Sequence, residues 1–230
     1  YSAIVGDGAA NVRAAKILIC RLYPWILNLY DPCHNLNLFL KDLGKIFKPM
    51  LSIVAAVANY FGKSNYGTHH LEVQRKIDGI GEGIKSNSDT RFSSSYIQVK
   101  SVHACVPPIQ KCFAAGTLKF DTAATKKLIP YLDATTPEHH DFMQEMSAFI
   151  LLLSSGANAI LTLEGQNITC ADVFYAWVCI AHHLERVLST NSLRAHRKEV
   201  ISIYNHRFKQ MMNESSHTIY LLAYFLHPSE

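Results

Sequence analysis

Four stripes of apolar residues at helical spacing constrain this chain more than any other feature. Phe142, Met146, Phe149, Ile150 and Leu153 keep one face after Pro137, and Val173, Phe174, Trp177, Ile180, Ala181 and Leu184 do so after Thr169. Val200, Tyr204, Phe208 and Met211 form a third stripe, and residues 220–225 a fourth. Recurrence every three to four residues is how helices bury one side against one another, so the spacing predicts a mainly α protein with bundled helices. Thr169, with Asp172 three residues on, has the form of a capping box and fixes the start of one of these helices. The 230 residues are 49% hydrophobic, enough for a sizeable core.

The beginning of the chain follows a different rule. Residues 1–5, YSAIV, have strand character and stop at Gly6-Asp7-Gly8; residues 9–23 then carry Val12, Ala15, Ile19 and Leu22 at helical spacing. Pro24 ends that helix, and WILNLY (25–30) reads as a second short strand before Asp31-Pro32. This is a strand, a tight turn, a helix and a strand: a short α/β piece. From His34 onward helical periods take over, with Gly/Ser/Asn-rich joints expected at GKSNYGTHH (62–70) and KSNSDTRFSSS (85–95).

Several function classes are disfavoured. The formal charge of +4 is small and nowhere gathered into a basic run, so charge alone does not argue for nucleic acid. The six cysteines lack close spacing and suit reduced thiols of a cytosolic or nuclear protein. No uninterrupted apolar run approaches the roughly 18 residues of a membrane span, the best being 148–153, so no membrane partner is expected. The chain starts without Met inside an apolar run, which reads as a piece of a longer protein.

The chemical candidates each have a plain structural alternative. Asp7 stands at the carboxyl end of a strand, where open α/β sheets place working groups, or Gly6-Asp7-Gly8 is a turn with Asp7 as N-cap of the helix that follows. Asp31 and His34 are spaced to face one way on a turn entering a helix. They serve chemistry there, or Asp31 caps a helix whose Leu36, Phe39, Leu40 and Leu43 pack inward. The pairs His69-His70, His139-His140 and His182-His183 do not chelate from one face, because adjacent helical side chains diverge by about 100°. They read as surface or partly packed histidines, and Glu164 as structural. Around residues 87–101, Lys85, Arg91, Lys100 and Lys111 accompany Phe92 and Tyr96, a set able to meet phosphates and stack on bases, or simply a solvated loop and helix start.

In combination, a strand ending in GDGAANV, a helix, DPCHNLNLFLKDL (31–43) and a later DTRFSSSY (89–96) resemble the hAT-superfamily transposases, in particular the fungal hAT-like group. The resemblance implies an RNase H-like core, and Asp7 falls on the family's D-N/G-A-x-N motif as one of three metal-binding acids. Asp31, His34, Leu36, Asn37 and Leu38 match a C/D-x-x-H-x-L-N-L motif beside the active site. Arg91-Phe92 stands where the family has an Arg-Trp pair that handles an unpaired base; phenylalanine still stacks but lacks the indole N–H.

The resemblance therefore implies residues 1–44 as a partial RNase H-like catalytic core and 45–230 as an α-helical insertion domain. The catalytic set would be Asp7, Asp31 and His34, with Asp7 the metal ligand. Lys85, Arg91, Phe92 and Tyr96 would bind nucleic acid. In the intact parent it further implies Mg²⁺ or Mn²⁺, DNA at transposon ends, a nuclear location and oligomerisation through a segment outside these residues. Two-metal phosphoryl transfer needs several carboxylates around ions about 4 Å apart, so residues 1–230 alone are expected to be inactive as a nuclease. The rival reading is a transposase-derived helical scaffold for protein interaction that has lost cleavage; a metal hydrolase built on the histidine pairs is a third.

Overall fold

In the computed structural model, which describes residues 2–87, 92–215 and 218–227, the chain is mostly helical with one small parallel sheet. Strand β1 (Ala3–Gly6) leads into α1 (Ala10–Leu22), β2 (Leu27–Tyr30) and α2 (Pro32–Gly44). A short 3₁₀ turn then precedes α3 (Lys48–Lys63), α4 (Asn65–Ile77), α5 (Ser93–Ala114), α6 (Ala123–Lys126) and α7 (Ile129–Leu132). There follow α8 (Pro137–Leu163), α9 (Cys170–Val187), α10 (Asn191–Arg194), α11 (Arg197–Asn213) and α12 (Ile219–Leu226). The mainly α expectation holds at this level, and the strand, helix and strand at the start lie where the pattern placed them.

The chain forms two compact units, one of Tyr1–Leu43 with Ser154–Glu230 and one of Gly44–Leu153, the division falling within α8. The sequence reading drew one boundary near residue 44 and ran the second domain to 230. Here residues 154–230 pack in the unit that holds the sheet.

In that first unit β1 and β2 run parallel, Gly6 paired with Tyr30, joined through α1. Asp31 caps α2, its Oδ1 accepting from the His34 amide at 3.0 Å, while Leu36, Phe39, Leu40 and Leu43 are fully buried. Phe39 and Tyr204 both pack their rings against Trp177, which is itself fully buried. Thr169 and Asp172 form the expected capping box at the start of α9. The fourth stripe is the exception. Tyr220 is buried, but Leu222, Phe225 and Leu226 are exposed, so α12 inserts one edge and leaves the rest of its apolar surface to solvent.

The second unit buries Met50, Val54, Val57 and Phe61 of α3 together with Leu71 of α4 and Val99, Val102, Val106 and Ile109 of α5. The joint expected over 62–70 shrinks to one residue. Ser64 separates α3 from α4 and its hydroxyl accepts from the Gly67 amide at 3.0 Å, so YGTHH is helix rather than linker. One good cap outweighs the poor helix propensity of the glycine. At the second joint the cap of α5 is Phe92, with no side-chain cap bond. Helix α8 is long and apolar enough to cross a membrane by length and composition, and 56% of that stretch is buried inside the protein, as in a core helix.

Candidate functional site

The strand ends assemble the site. Because Gly6 pairs with Tyr30 in register, Asp7 and Asp31 follow the paired strands side by side, and the Asp31 amide donates to the Gly6 carbonyl at 3.0 Å. Gly6 is required by the close approach of α1: a β-carbon there would lie 2.7 Å from Val12 Cγ1 and 3.2 Å from Lys16 Cδ. Asp7 Oδ1 accepts from the Ala9 amide at 3.0 Å, so the turn forms, but the residue at the N-cap of α1 is Ala9 rather than Asp7, and no side chain caps the helix.

A cavity of about 220 Å³ opens beside Asp7, lined also by Arg13, Lys16, Ile17, Asn28, Tyr30 and Glu214. Lys16 is buried, and its ammonium donates to the Leu29 carbonyl at 2.6 Å and to the Gly6 carbonyl at 3.3 Å. It bridges the carboxyl ends of both strands, and burial pushes its pKa down. Arg13 pairs with Glu214 at 2.6 Å. The cavity thus joins two cations to two carboxylates, and Glu214 arrives from the far end of α11. A wider cleft of about 690 Å³, lined in part by Phe174, Phe208 and Ser215, shares Asn28 and Glu214 with it.

No family model, curated protein or solved structure matches this chain.

Of the residues singled out in the sequence, Asp7 lines the cavity; Asp31 and His34 do not, although they begin α2 just beyond the strand ends. The His34 ring sits edge-on to Tyr30, centroids 6.2 Å apart. Among the described residues no three His, Cys, Asp or Glu side chains gather as a metal site. Asp7 and Glu214 are hard oxygen donors of the kind Mg²⁺ and Mn²⁺ take, but Glu214 is held by Arg13, and two carboxylates do not make a two-ion centre. The residues present do not by themselves fit the implied ions.

The second group lies in the other unit. Lys85 is exposed, pairs with Glu82 at 3.5 Å, and its amide donates to Ser101 Oγ on α5 at 2.9 Å, so the loop before α5 folds back along that helix. Phe92 and Tyr96 are four residues apart at the start of α5 and so share a face. The Phe92 ring lies directly on Gly44, in the space a β-carbon there would take, and is half-buried. Tyr96 is also half-buried, and burial raises its pKa. Arg91 lies outside the described residues.

The histidine pairs do not converge. His139 bonds the Tyr131 carbonyl through Nδ1 at 2.9 Å, His183 bonds Ser154 at 3.3 Å, and His70 packs on Tyr66. Sequence reasoning missed Arg13, Lys16, Tyr30 and Glu214. A Lys on the apolar face of a helix between two strands was a readable signal for Lys16, whereas nothing local links Glu214 to Asp7.

Proposed function

We propose that this chain is a portion of a hAT-like DNA transposase, with residues of the strand-bearing unit belonging to an RNase H-like core. One observation carries the reading: Asp7 and Asp31 emerge side by side from paired parallel strands, at the carboxyl edge where α/β sheets place their chemistry. Departure of the chain from that unit at Leu43 and its return at Ser154 are what an inserted helical segment requires. In the intact parent, Mg²⁺ or Mn²⁺ would supply the polarisation for cutting and joining DNA. In this chain Asp7 is the candidate ligand, Lys16 fixes the strand ends that present it, and Arg13 with Glu214 closes the cavity beside it. The half-buried Phe92 offers one ring face to a flanking base, and Lys85 offers a charge to phosphate.

The test is DNA binding by the 230-residue chain, followed by fluorescence anisotropy with a hairpin and a plain duplex over a salt series, beside Arg91→Ala and Phe92→Ala. Salt-sensitive binding that prefers unpaired ends and weakens in both variants supports the reading. A folded chain that ignores both DNAs at low salt removes it. The alternative, an interaction scaffold derived from such a protein, draws on the exposed Leu222, Phe225 and Leu226 of α12, an apolar surface of the type that partners cover.

A further inference from the structure

In the helical unit, a cleft of about 250 Å³ lies where α3 and α4 meet the loop 80–86, and Arg75 of α4 forms part of its wall. Arg75 is only 9% exposed. Its Nη1 donates to the Ile80 carbonyl at 3.1 Å, which ties the loop to the end of α4. The opposite edge of the guanidinium is different. Among the described residues neither Nε nor Nη2 has a hydrogen-bond partner, Nε is completely buried, and no carboxylate pairs with Arg75.

A buried guanidinium without a counter-charge is among the most costly arrangements a fold can hold, and Nη2, which unlike Nε is not fully enclosed, is the donor that an oxygen of a carboxylate or phosphate in the cleft can meet. Gly83 lies against that side, and its lack of a side chain leaves room at Nη2: a β-carbon there would come within 3.2 Å of Nη2 and 3.6 Å of Nε. Lys85 and Ser86 also line the cleft and add a mobile charge and a hydroxyl, while Lys85 is otherwise engaged only in a solvent-exposed pair with Glu82, which is weak. Glu72 lines the cleft too, exposed to solvent and so screened. The volume admits one phosphate group with a few waters, each needing about 30 Å³.

We propose that this cleft binds a phosphate-type oxyanion, gripped by Nη2 of Arg75 and by Lys85. The inference shares Lys85 with the transposase reading but does not rest on it, because the same chemistry is offered by a free phosphate compound and by the backbone of a nucleic acid.

Thermal unfolding of the full chain in inorganic phosphate, against sodium chloride at equal ionic strength, tests it. Phosphate raises the Tm of the unsubstituted chain beyond the chloride control. Arg75→Met weakens the phosphate response roughly tenfold or more, since a charged hydrogen bond from a largely buried guanidinium is lost. Its Tm without phosphate does not fall, because an unpaired buried charge has been removed. Lys85→Met, at an exposed position, weakens binding several-fold and carries the test if Arg75→Met does not fold. Gly83→Ala weakens it with every charge in place. Displacement of phosphate by a single-stranded oligonucleotide identifies nucleic acid as the source, and failure to displace identifies free phosphate compounds. Either no phosphate-specific shift, or an equal shift in the chain and all folded variants, overturns the proposal.

Discussion

The hydroxyl of Tyr220 donates to the backbone carbonyl of Tyr30 at 3.1 Å, across 190 residues of chain. The amide of the same Tyr30 donates to Ser215 Oγ at 2.9 Å. Both backbone groups of Tyr30 that face away from β1 are therefore met by side chains rather than by a third strand, which seals this part of the sheet edge. Tyr220→Phe leaves the buried carbonyl unmet and is expected to cost about 1–3 kcal/mol, read as a lower urea midpoint with an unchanged slope. Burial pushes the Tyr220 pKa up to about 12. The folded state then holds a proton that the unfolded chain gives up near pH 10, so stability is complete below about pH 10 and falls as pH rises towards 12. Tyr204, also raised to about 12, adds to the fall, and Tyr220→Phe should make it shallower.

Arg207 and Asp42 form a close, mostly buried ion pair in the first unit. Nε and Nη2 of Arg207 reach Asp42 Oδ2 at 2.8 and 2.5 Å, Nη1 reaches Gln210, and the side chains are 14% and 16% exposed. Asp42→Ala strands a mostly buried guanidinium and is expected to cost about 2–4 kcal/mol. The double variant Asp42→Leu with Arg207→Met removes both charges and should recover most of that loss. A double-mutant cycle by chemical denaturation measures the coupling, and additive losses would show that the pair contributes nothing beyond its parts.

What the sequence made legible is local. The glycine-flanked turn after β1, Asp31 as the cap of α2, and the Thr169–Asp172 box are each decided within a few residues, and the periodicity of α8, α9 and α11 follows from one buried face. What it hid is long-range or decided by competition. Glu214 and Tyr220 reach the sheet only once the chain has returned at Ser154. The joint at 62–70 carries the letters of a loop, yet Ser64 caps a helix there. The apolar letters of α12 are as dense as those of α9, but only Tyr220 is buried, because periodicity marks a face without saying whether a partner covers it.

The capping box of α9 gives a pH dependence of the opposite sign. The Thr169 hydroxyl and amide each donate to Asp172 Oδ2 at 2.7 Å and hold its carboxyl below the usual carboxylate range. A depressed carboxylate stabilises the fold above its unfolded value of about 3.9, and that contribution is lost as pH falls through the lower folded value. Thr169→Ala should cost about 1 kcal/mol at neutral pH. It should also flatten the decline in stability below pH 4, followed by urea titrations at fixed pH values. A decline of unchanged steepness would place the acid sensitivity elsewhere.

Two glycines of opposite surroundings separate close packing from mere flexibility. At Gly6 a β-carbon meets Val12 Cγ1 at 2.7 Å, and Val12 belongs to α1, which also carries Lys16 to the strand ends. Gly6→Ala must push α1 away from β1, an overpacking expected to cost about 1–3 kcal/mol and to loosen the Lys16 contact with the Leu29 carbonyl. At Gly62, inside α3, an added β-carbon meets nothing within 4 Å. Gly62→Ala should therefore stabilise by about 0.5–1 kcal/mol, through the reduced freedom of the unfolded chain. Thermal unfolding of the two variants side by side gives shifts of opposite sign if the close approach at Gly6 is what holds α1 on the sheet. A neutral Gly6→Ala would mean that α1 accommodates the methyl, and that the geometry beside Asp7 is softer than the packing of Val12 and Lys16 requires.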